Sequence, residues 1–203
     1  MHKLYELKKV KKILIATNNP GKFRELKEIL PKKIRYLKPK DFNLNEPVEN
    51  GKTFKENAKI KSVFAAKKSG LICISDDSGL EVDALDKKPG IFSARWAGKT
   101  KNFDIAIKKI LNLLNKIKKL NSKARFICGS SIAFPNGKSF EFQGKVEGKI
   151  SFPARGKKGF GYDPIFIAKG KKITFAQMNK KEKNLISHRF DVFKKIKKYF
   201  KFS

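Results

Sequence analysis

Apolar and polar positions follow two rhythms along the chain, and the switches between them mark the predicted elements. Ile13-Leu14-Ile15-Ala16 is a continuous apolar run, the mark of a short buried strand. Asn18-Asn19-Pro20-Gly21-Lys22 follows at once, with Asn19 placed to cap a helix and Pro20 suited to its first turn. Phe23, Leu26 and Leu30 then recur at helical spacing until Pro31 stops the pattern. Lys33 to Leu37 predicts a second short strand, and residues 38–52 a loop containing Pro39, Pro47 and Gly51. Thr53 with Glu56 three residues later forms the pattern of a capping box. It opens a helix that runs to about Lys68, with Phe54, Ala58, Ser62 and Ala65 on one small-residue face, and Gly70 ends it. Leu71-Ile72-Cys73-Ile74 predicts a central buried strand.

The second half repeats these rhythms. Residues 86–100 read as a loop, and Phe103, Ile107, Ile110, Leu114 and Ile117 define an amphipathic helix. Residues 124–134 and 139–150 flank Pro135-Asn136-Gly137, which predicts a long hairpin. A glycine-rich loop at 157–163 precedes a strand at Pro164-Ile165-Phe166-Ile167. The last helix is predicted from about Lys181 to Phe200, with Ile186, Phe190, Phe193 and Ile196 inward and His188-Arg189 near its start. No internal repeat or linker appears, so the 203 residues read as a single domain with a basic leader at 1–11. That length is enough to bury a sizeable core.

Charge changes the picture less than its size suggests. The formal net charge is +31, which invites a nucleic-acid reading. Arg, however, occurs only at 24, 35, 95, 125, 155 and 189, and the lysines are spread through every segment. Specific phosphate or base recognition enlists Arg forks, so a compositional Lys bias is favoured over a nucleic-acid role. Such a field still attracts a small polyanionic substrate. Cys73 and Cys128 both lie in strand-like runs, which points to buried reduced thiols and a cytoplasmic location. No 18-residue apolar run exists, so no membrane span is expected, and Met1 to Glu6 lacks the apolar core of a signal peptide.

Candidate chemistry concentrates in Ser75-Asp76-Asp77-Ser78-Gly79-Leu80. The two acids follow the central apolar run and are expected at the carboxyl end of its strand, where open α/β sheets bind ligands. Adjacent like charges need a divalent cation or a basic site to hold them; a solvated acidic turn is the alternative. The strand, loop and helix around Thr17, Asn18, Asn19, Pro20, Gly21 and Lys22 point backbone N–H groups and an ammonium at an anion. The glycine spacing is not that of a Walker loop, and an ordinary capped turn fits equally. Lys61, one turn from Asn57, is within reach of a ligand or simply solvated.

Six stretches taken in order resemble one family, the inosine/xanthosine triphosphate pyrophosphatases, or HAM1-like proteins. They are Ala16 to Lys22, Thr53-Phe54-Lys55-Glu56-Asn57-Ala58, Asp76-Asp77-Ser78-Gly79-Leu80, Pro89 to Arg95, Gly159 to Pro164 and Ile186-Ser187-His188-Arg189. The resemblance implies an α/β fold with two lobes around a long twisted mixed sheet, flanking helices and an active site in the inter-lobe cleft, usually in a homodimer. It implies Mg²⁺-dependent hydrolysis of aberrant purine nucleoside triphosphates (ITP, dITP, XTP) to the monophosphate and pyrophosphate. By the same resemblance, Thr17 to Lys22 hold phosphate, Asp77 binds the metal and is the general base with Asp76 beside it, and Ser78 touches substrate. Phe160, Gly161, Tyr162, Asp163, Lys183, His188 and Arg189 hold the nucleoside. The family's second metal-binding Glu falls here on Val48; Glu49 is adjacent and is taken as the ligand, with Glu46 as the alternative.

The chemistry follows from residue type. Cleavage between the α and β phosphates needs charge neutralisation and an in-line water, and Mg²⁺ is content with one or two carboxylates. Lys22, with Lys61 or Arg95, is placed to neutralise pyrophosphate. Arg189 is expected to donate to the 6-keto oxygen, and Tyr162 or Phe160 to stack on the base. A basic nucleic-acid-binding domain and a metal-dependent nuclease are the competing readings; no specific nucleic-acid partner is expected.

Overall fold

The computed structural model describes residues 5–6 and 10–201. In chain order the elements are β1 (Tyr5–Glu6), β2 (Lys12–Ile15), α1 (Pro20–Ile29), β3 (Arg35–Leu37), α2 (Phe54–Ser69), β4 (Cys73–Val82), α3 (Ser93–Trp96) and α4 (Phe103–Lys116). They continue as β5 (Lys123–Ala133), β6 (Ser139–Ile150), β7 (Phe166–Ala168), α5 (Lys180–Ile186), α6 (His188–Tyr199) and β8 (Phe200–Lys201). Six strands form one sheet in the order β3-β2-β4-β5-β6-β7. β2 runs parallel to both of its neighbours, and β7 is antiparallel to β6, so the sheet is mixed. The basic leader expected over residues 1–11 lies largely outside the described residues, although Tyr5–Glu6 pairs in parallel with Phe200–Lys201.

The chain forms two compact units, each visited more than once. The first holds residues up to 77, 128–144 and from 189 onward; the second holds 78–127 and 145–188. β4, β5 and β6 each pass from one unit into the other. The core of the first unit gathers Ile13, Ile15, Phe23, Leu26, Ile74, Ile132, Val192 and Ile196. A small-residue cluster of Leu14, Ala65, Ala66 and Cys73 lies beside it. The second unit packs Leu80, Val82, Ile110, Leu114, Phe126, Phe166 and Phe175.

The helix starts follow the local chemistry that the sequence announced. The Asn19 side chain accepts the N–H groups of Gly21 and Lys22, capping α1 with Pro20 in its first turn. Thr53 Oγ1 accepts the Glu56 N–H, and Gly70 ends α2 in the left-handed conformation at φ 69°. The small inner face of α2 matters because β5 touches the helix backbone. A Cβ on Gly129 would lie 2.3 Å from the Phe54 carbonyl carbon.

Three expectations are corrected. The acid pair does not follow a strand but sits within one. β4 runs to Val82, and Asp76 and Asp77 lie mid-strand and buried. The apolar positions resume at Leu80 and Val82, and Gly79 lets the strand press on Ser93, where a Cβ would come within 2.3 Å of Oγ. Tertiary partners for the acids therefore override the turn character of Asp-Asp-Ser-Gly. The final helix is two helices, broken at Ser187, whose ψ of 157° is extended. Ile186 packs with the second unit's core and Ile196 with the first's, so the chain changes unit there. The loop at 86–100 contains α3 and a 3-10 turn at Gly90–Phe92, and the loop at 38–52 opens with another at Pro39–Phe42.

Candidate active site

β4 brings Ser75, Asp76 and Asp77 into the interior of the first unit, and charged residues from α1, α2 and α6 close on them. Asp76 is fully buried (0% exposed). Its Oδ2 is 3.2 Å from Arg189 Nε and 3.3 Å from Lys22 Nζ. Arg189, at the start of α6 and 4% exposed, also donates from Nη1 to Glu25 Oε2 at 2.6 Å. Glu25, Arg189, Asp76 and Lys22 thus form a chain of alternating charge, buried except at the half-buried Lys22. Burial works against the Arg189 charge, but Asp76 and Glu25 outweigh it and hold the guanidinium firmly protonated.

Asp77 faces a different set. Its Oδ2 accepts the Asn57 amide at 3.0 Å. Burial pushes its carboxyl above the ordinary carboxylate range, against the pull of Lys22 and Lys61. Lys61 is itself buried, with Nζ 3.1 Å from Glu49 Oε1. Burial favours neutral Lys61, yet Asp77, Glu49 and Asp76 together keep the ammonium charged. Glu49 is therefore drawn to the acid cluster through Lys61, one helical turn from Asn57. Glu46 takes a different post and accepts the Asn18 N–H at 3.3 Å.

The Thr17 to Lys22 turn is ordered from within. Thr17 Oγ1 accepts the Asn19 N–H at 3.2 Å, and the Asn19 side chain takes the N–H groups of Gly21 and Lys22. Those two N–H groups are thus engaged, and the charge this turn presents comes chiefly from the Lys22 ammonium.

The second unit holds the other candidates. Lys183 Nζ lies 2.6 Å from Asp163 Oδ2 and 4.9 Å from the centre of the Phe160 ring. Asp163 Oδ2 also accepts the Phe160 N–H at 2.8 Å. Gly159 must be glycine here, since it has φ +77° and a Cβ would fall 2.0 Å from that oxygen. Asp163 thereby fixes the glycine-rich loop that carries Phe160 and Gly161. Tyr162 is core, 2% exposed, its hydroxyl donating to the Ser93 carbonyl at 2.9 Å and its ring edge-on to Phe103. It has no face to offer a base, so Phe160, half-buried, is the loop's remaining aromatic. His188 stacks on Phe126 with centroids 5.0 Å apart. Ser78 is half-buried on β4, and Arg95 is exposed on α3 with its guanidinium over Phe92.

The donor chemistry suits a hard divalent cation. Asp77 and Glu49 supply oxygen only, and both are grouped about a single ammonium. Among the described residues no group of three or more His, Cys, Asp and Glu side chains forms a preset metal cage. Two carboxylates fit a hard divalent cation that keeps waters of its own.

Sequence reasoning missed Glu25 and Asn57. Glu25 lies among the residues of α1 that face inward, next to Leu26, and Asn57 adjoins Ala58 on the small-residue face of α2. A polar residue on a face otherwise bound for the core was the available signal.

With this geometry in view, comparison with known proteins is informative. The model of the Ham1 family matches residues 13–199. A dITP/XTP pyrophosphatase of Zymomonas mobilis is 42% identical over 187 residues, covering 91% of this chain and 90% of that protein. One of Bacillus subtilis is 44% identical over 191 residues, covering 93% and 96%. Among solved structures, a HAM1 protein from Coxiella burnetii superposes with a TM-score of 0.83 at 37% identity, covering 92% of this chain and 96% of that one. The Staphylococcus aureus Ham1 protein gives 0.81 at 39%, covering 93% and 97%. By sequence and by fold, this chain belongs to the Ham1 family.

Proposed function

We propose that this protein hydrolyses aberrant purine nucleoside triphosphates, of the ITP, dITP and XTP kind, to the monophosphate and pyrophosphate, with Mg²⁺ as the metal. The observation that carries the reading is Asp77: a carboxylate buried mid-strand, raised in pKa by burial, and flanked by Lys22, Lys61 and Glu49. The names of the relatives above support the substrate class.

Asp77 and Glu49 would hold Mg²⁺, which when bound neutralises phosphate charge and aids departure of pyrophosphate. Asp77 accepts a proton from the attacking water. Lys22 and Lys61 neutralise the phosphates, with Thr17, Asn18, Asn19, Pro20 and Gly21 shaping the turn that carries Lys22. Asp76 acts differently from Asp77. It is enclosed by Arg189 and Lys22, so it anchors those two cations. Phe160, Gly161, Asp163, Lys183 and His188 are assigned to the nucleoside, and Ser78 and Arg95 to substrate contact, as the resemblance implies. Arg189 is the donor assigned to the 6-keto oxygen, as the resemblance implies. The protein acts as a homodimer in the cytoplasm.

The test is Asp77→Asn, which changes one atom and removes both the base and a metal ligand. It should abolish nearly all pyrophosphate release from ITP while urea unfolding stays cooperative. Turnover like that of the wild type in the folded variant would refute the assignment.

A further inference from the structure

Asn57 is a neutral side chain that joins Asp77 to the loop carrying Glu49. It lies in the fourth residue of α2, 2% exposed, where Asn is a poor helix former and a buried amide is costly unless satisfied. Both ends are satisfied. Nδ2 donates to Asp77 Oδ2 at 3.0 Å, and Oδ1 accepts the Gly51 N–H at 2.8 Å. The two partners fix the orientation of the amide, because a carboxylate demands a donor and an N–H demands an acceptor.

Gly51 is two residues beyond Glu49, so the second bond pins the loop that carries Glu49. The contact is close. A Cβ on Gly51 would lie 2.7 Å from Asn57 Oδ1, 2.7 Å from Glu56 Cβ and 2.9 Å from the Asn57 backbone nitrogen. The Glu56 carboxylate accepts the Lys52 N–H at 2.7 Å, a second tie on the same stretch. One helical turn on, Lys61 Nζ meets Glu49 itself at 3.1 Å.

We propose that Asn57 is a positioning residue that sets the Glu49 loop in register with Asp77, so that the two carboxylates form one divalent-cation site. The inference rests on the reading of Asp77 and Glu49 as the metal ligands. The loop is held at Gly51, and Val48, 81% exposed, is not drawn into the cluster. Asn57 is assigned neither to the metal nor to the substrate. It acts by holding one ligand directly and the other through the backbone two residues away, as outer-shell partners of metal ligands do.

The experiment uses the full chain, with Mn²⁺ alone as the probe, read by water-proton relaxation, and amide hydrogen exchange at Gly51 read by NMR. Asn57→Leu, nearly isosteric, removes both bonds. Gly51→Ala disturbs the same clamp from the loop side, its Cβ meeting Asn57 Oδ1 and Glu56 Cβ, which keeps the test alive if Asn57→Leu does not fold. Both variants should raise the Mn²⁺ dissociation constant about 10-fold or more. Asn57→Leu should also speed Gly51 exchange by about 10-fold, and KM for ITP at saturating Mn²⁺ should stay within about twofold. Glu49→Gln should weaken Mn²⁺ but leave Gly51 exchange slow. Unchanged Gly51 exchange in Asn57→Leu overturns the clamp. So does unchanged Mn²⁺ affinity in Gly51→Ala when Glu49→Gln weakens it. Mn²⁺ binding indifferent to Glu49→Gln sinks the ligand reading itself, and this inference with it.

Discussion

The charge chain Glu25–Arg189–Asp76–Lys22 makes a quantitative demand on stability. Arg189→Met keeps much of the apolar stem but deletes the charge, leaving Glu25 and Asp76 without the guanidinium 2.6 and 3.2 Å away. Breaking a buried ion pair by removing one partner costs about 3–5 kcal/mol, because the surviving charge stays in a poor solvent. Glu25, Arg189 and Asp76 are each under a tenth exposed, so solvent screening relieves little of it. In a chain of this length, roughly 2–4 °C of Tm is lost per kcal/mol, so Arg189→Met should melt about 6–20 °C lower. Glu25→Leu should cost a similar amount from the other side. The double variant should not pay twice, since it removes both charges and leaves Asp76 with Lys22. Urea denaturation of the four proteins measures the coupling, which should be at least about 2 kcal/mol. Additivity to within about 0.5 kcal/mol would refute the shared network and leave Glu25 as an incidental neighbour of Arg189.

Glu49→Gln should raise the Mg²⁺ concentration for half-maximal activity more than Glu46→Gln does, because Glu49 joins the acid cluster through Lys61 whereas Glu46 caps a backbone N–H; the reverse order in a Mg²⁺ titration would move the ligand to Glu46. ITP should be preferred over ATP by at least about 10-fold in kcat/KM, since a buried donor facing the adenine amino group loses its bond; equal values in a steady-state panel would exclude a keto-reading site. Burial pushes the Cys73 thiol up to about 12 and raises Cys128 likewise, so neither should react with Ellman's reagent at pH 8 until urea unfolds the chain. Rapid labelling of the native protein would contradict that packing. Binding to duplex DNA should be weak and fall steeply with salt; a sequence-specific complex that survives 0.15 M salt in a gel shift would overturn the bland reading of the lysines.

Much of this was legible along the chain, for identifiable reasons. Asn19, Thr53 and Gly70 signal their helix ends because capping is local chemistry. The Pro135-Asn136-Gly137 hairpin appeared for the same reason, its turn closed by the Gly137 N–H on the Phe134 carbonyl. The acid pair misled because Asp-Asp-Ser-Gly has turn character when its partners are unknown. Lys22, Asn57 and Arg189 come from 54, 20 and 113 positions away from their acid partners, which no local pattern encodes, and they are what make a buried strand tolerable there. Tyr162 misled similarly. Its motif neighbours suggest a ligand contact, but the Ser93 carbonyl and Phe103 claim it for the core. The break at Ser187 was hidden because Ile186 and Ile196 both face cores, each in its own unit.

The central claim is tested most directly by the products formed from ITP. Followed by ³¹P NMR with Mg²⁺ present, the wild-type protein should yield inosine monophosphate and pyrophosphate in equal amounts, with no inosine diphosphate at any time, and EDTA should stop the reaction. Inosine diphosphate with orthophosphate, or turnover that is indifferent to EDTA, would contradict the account.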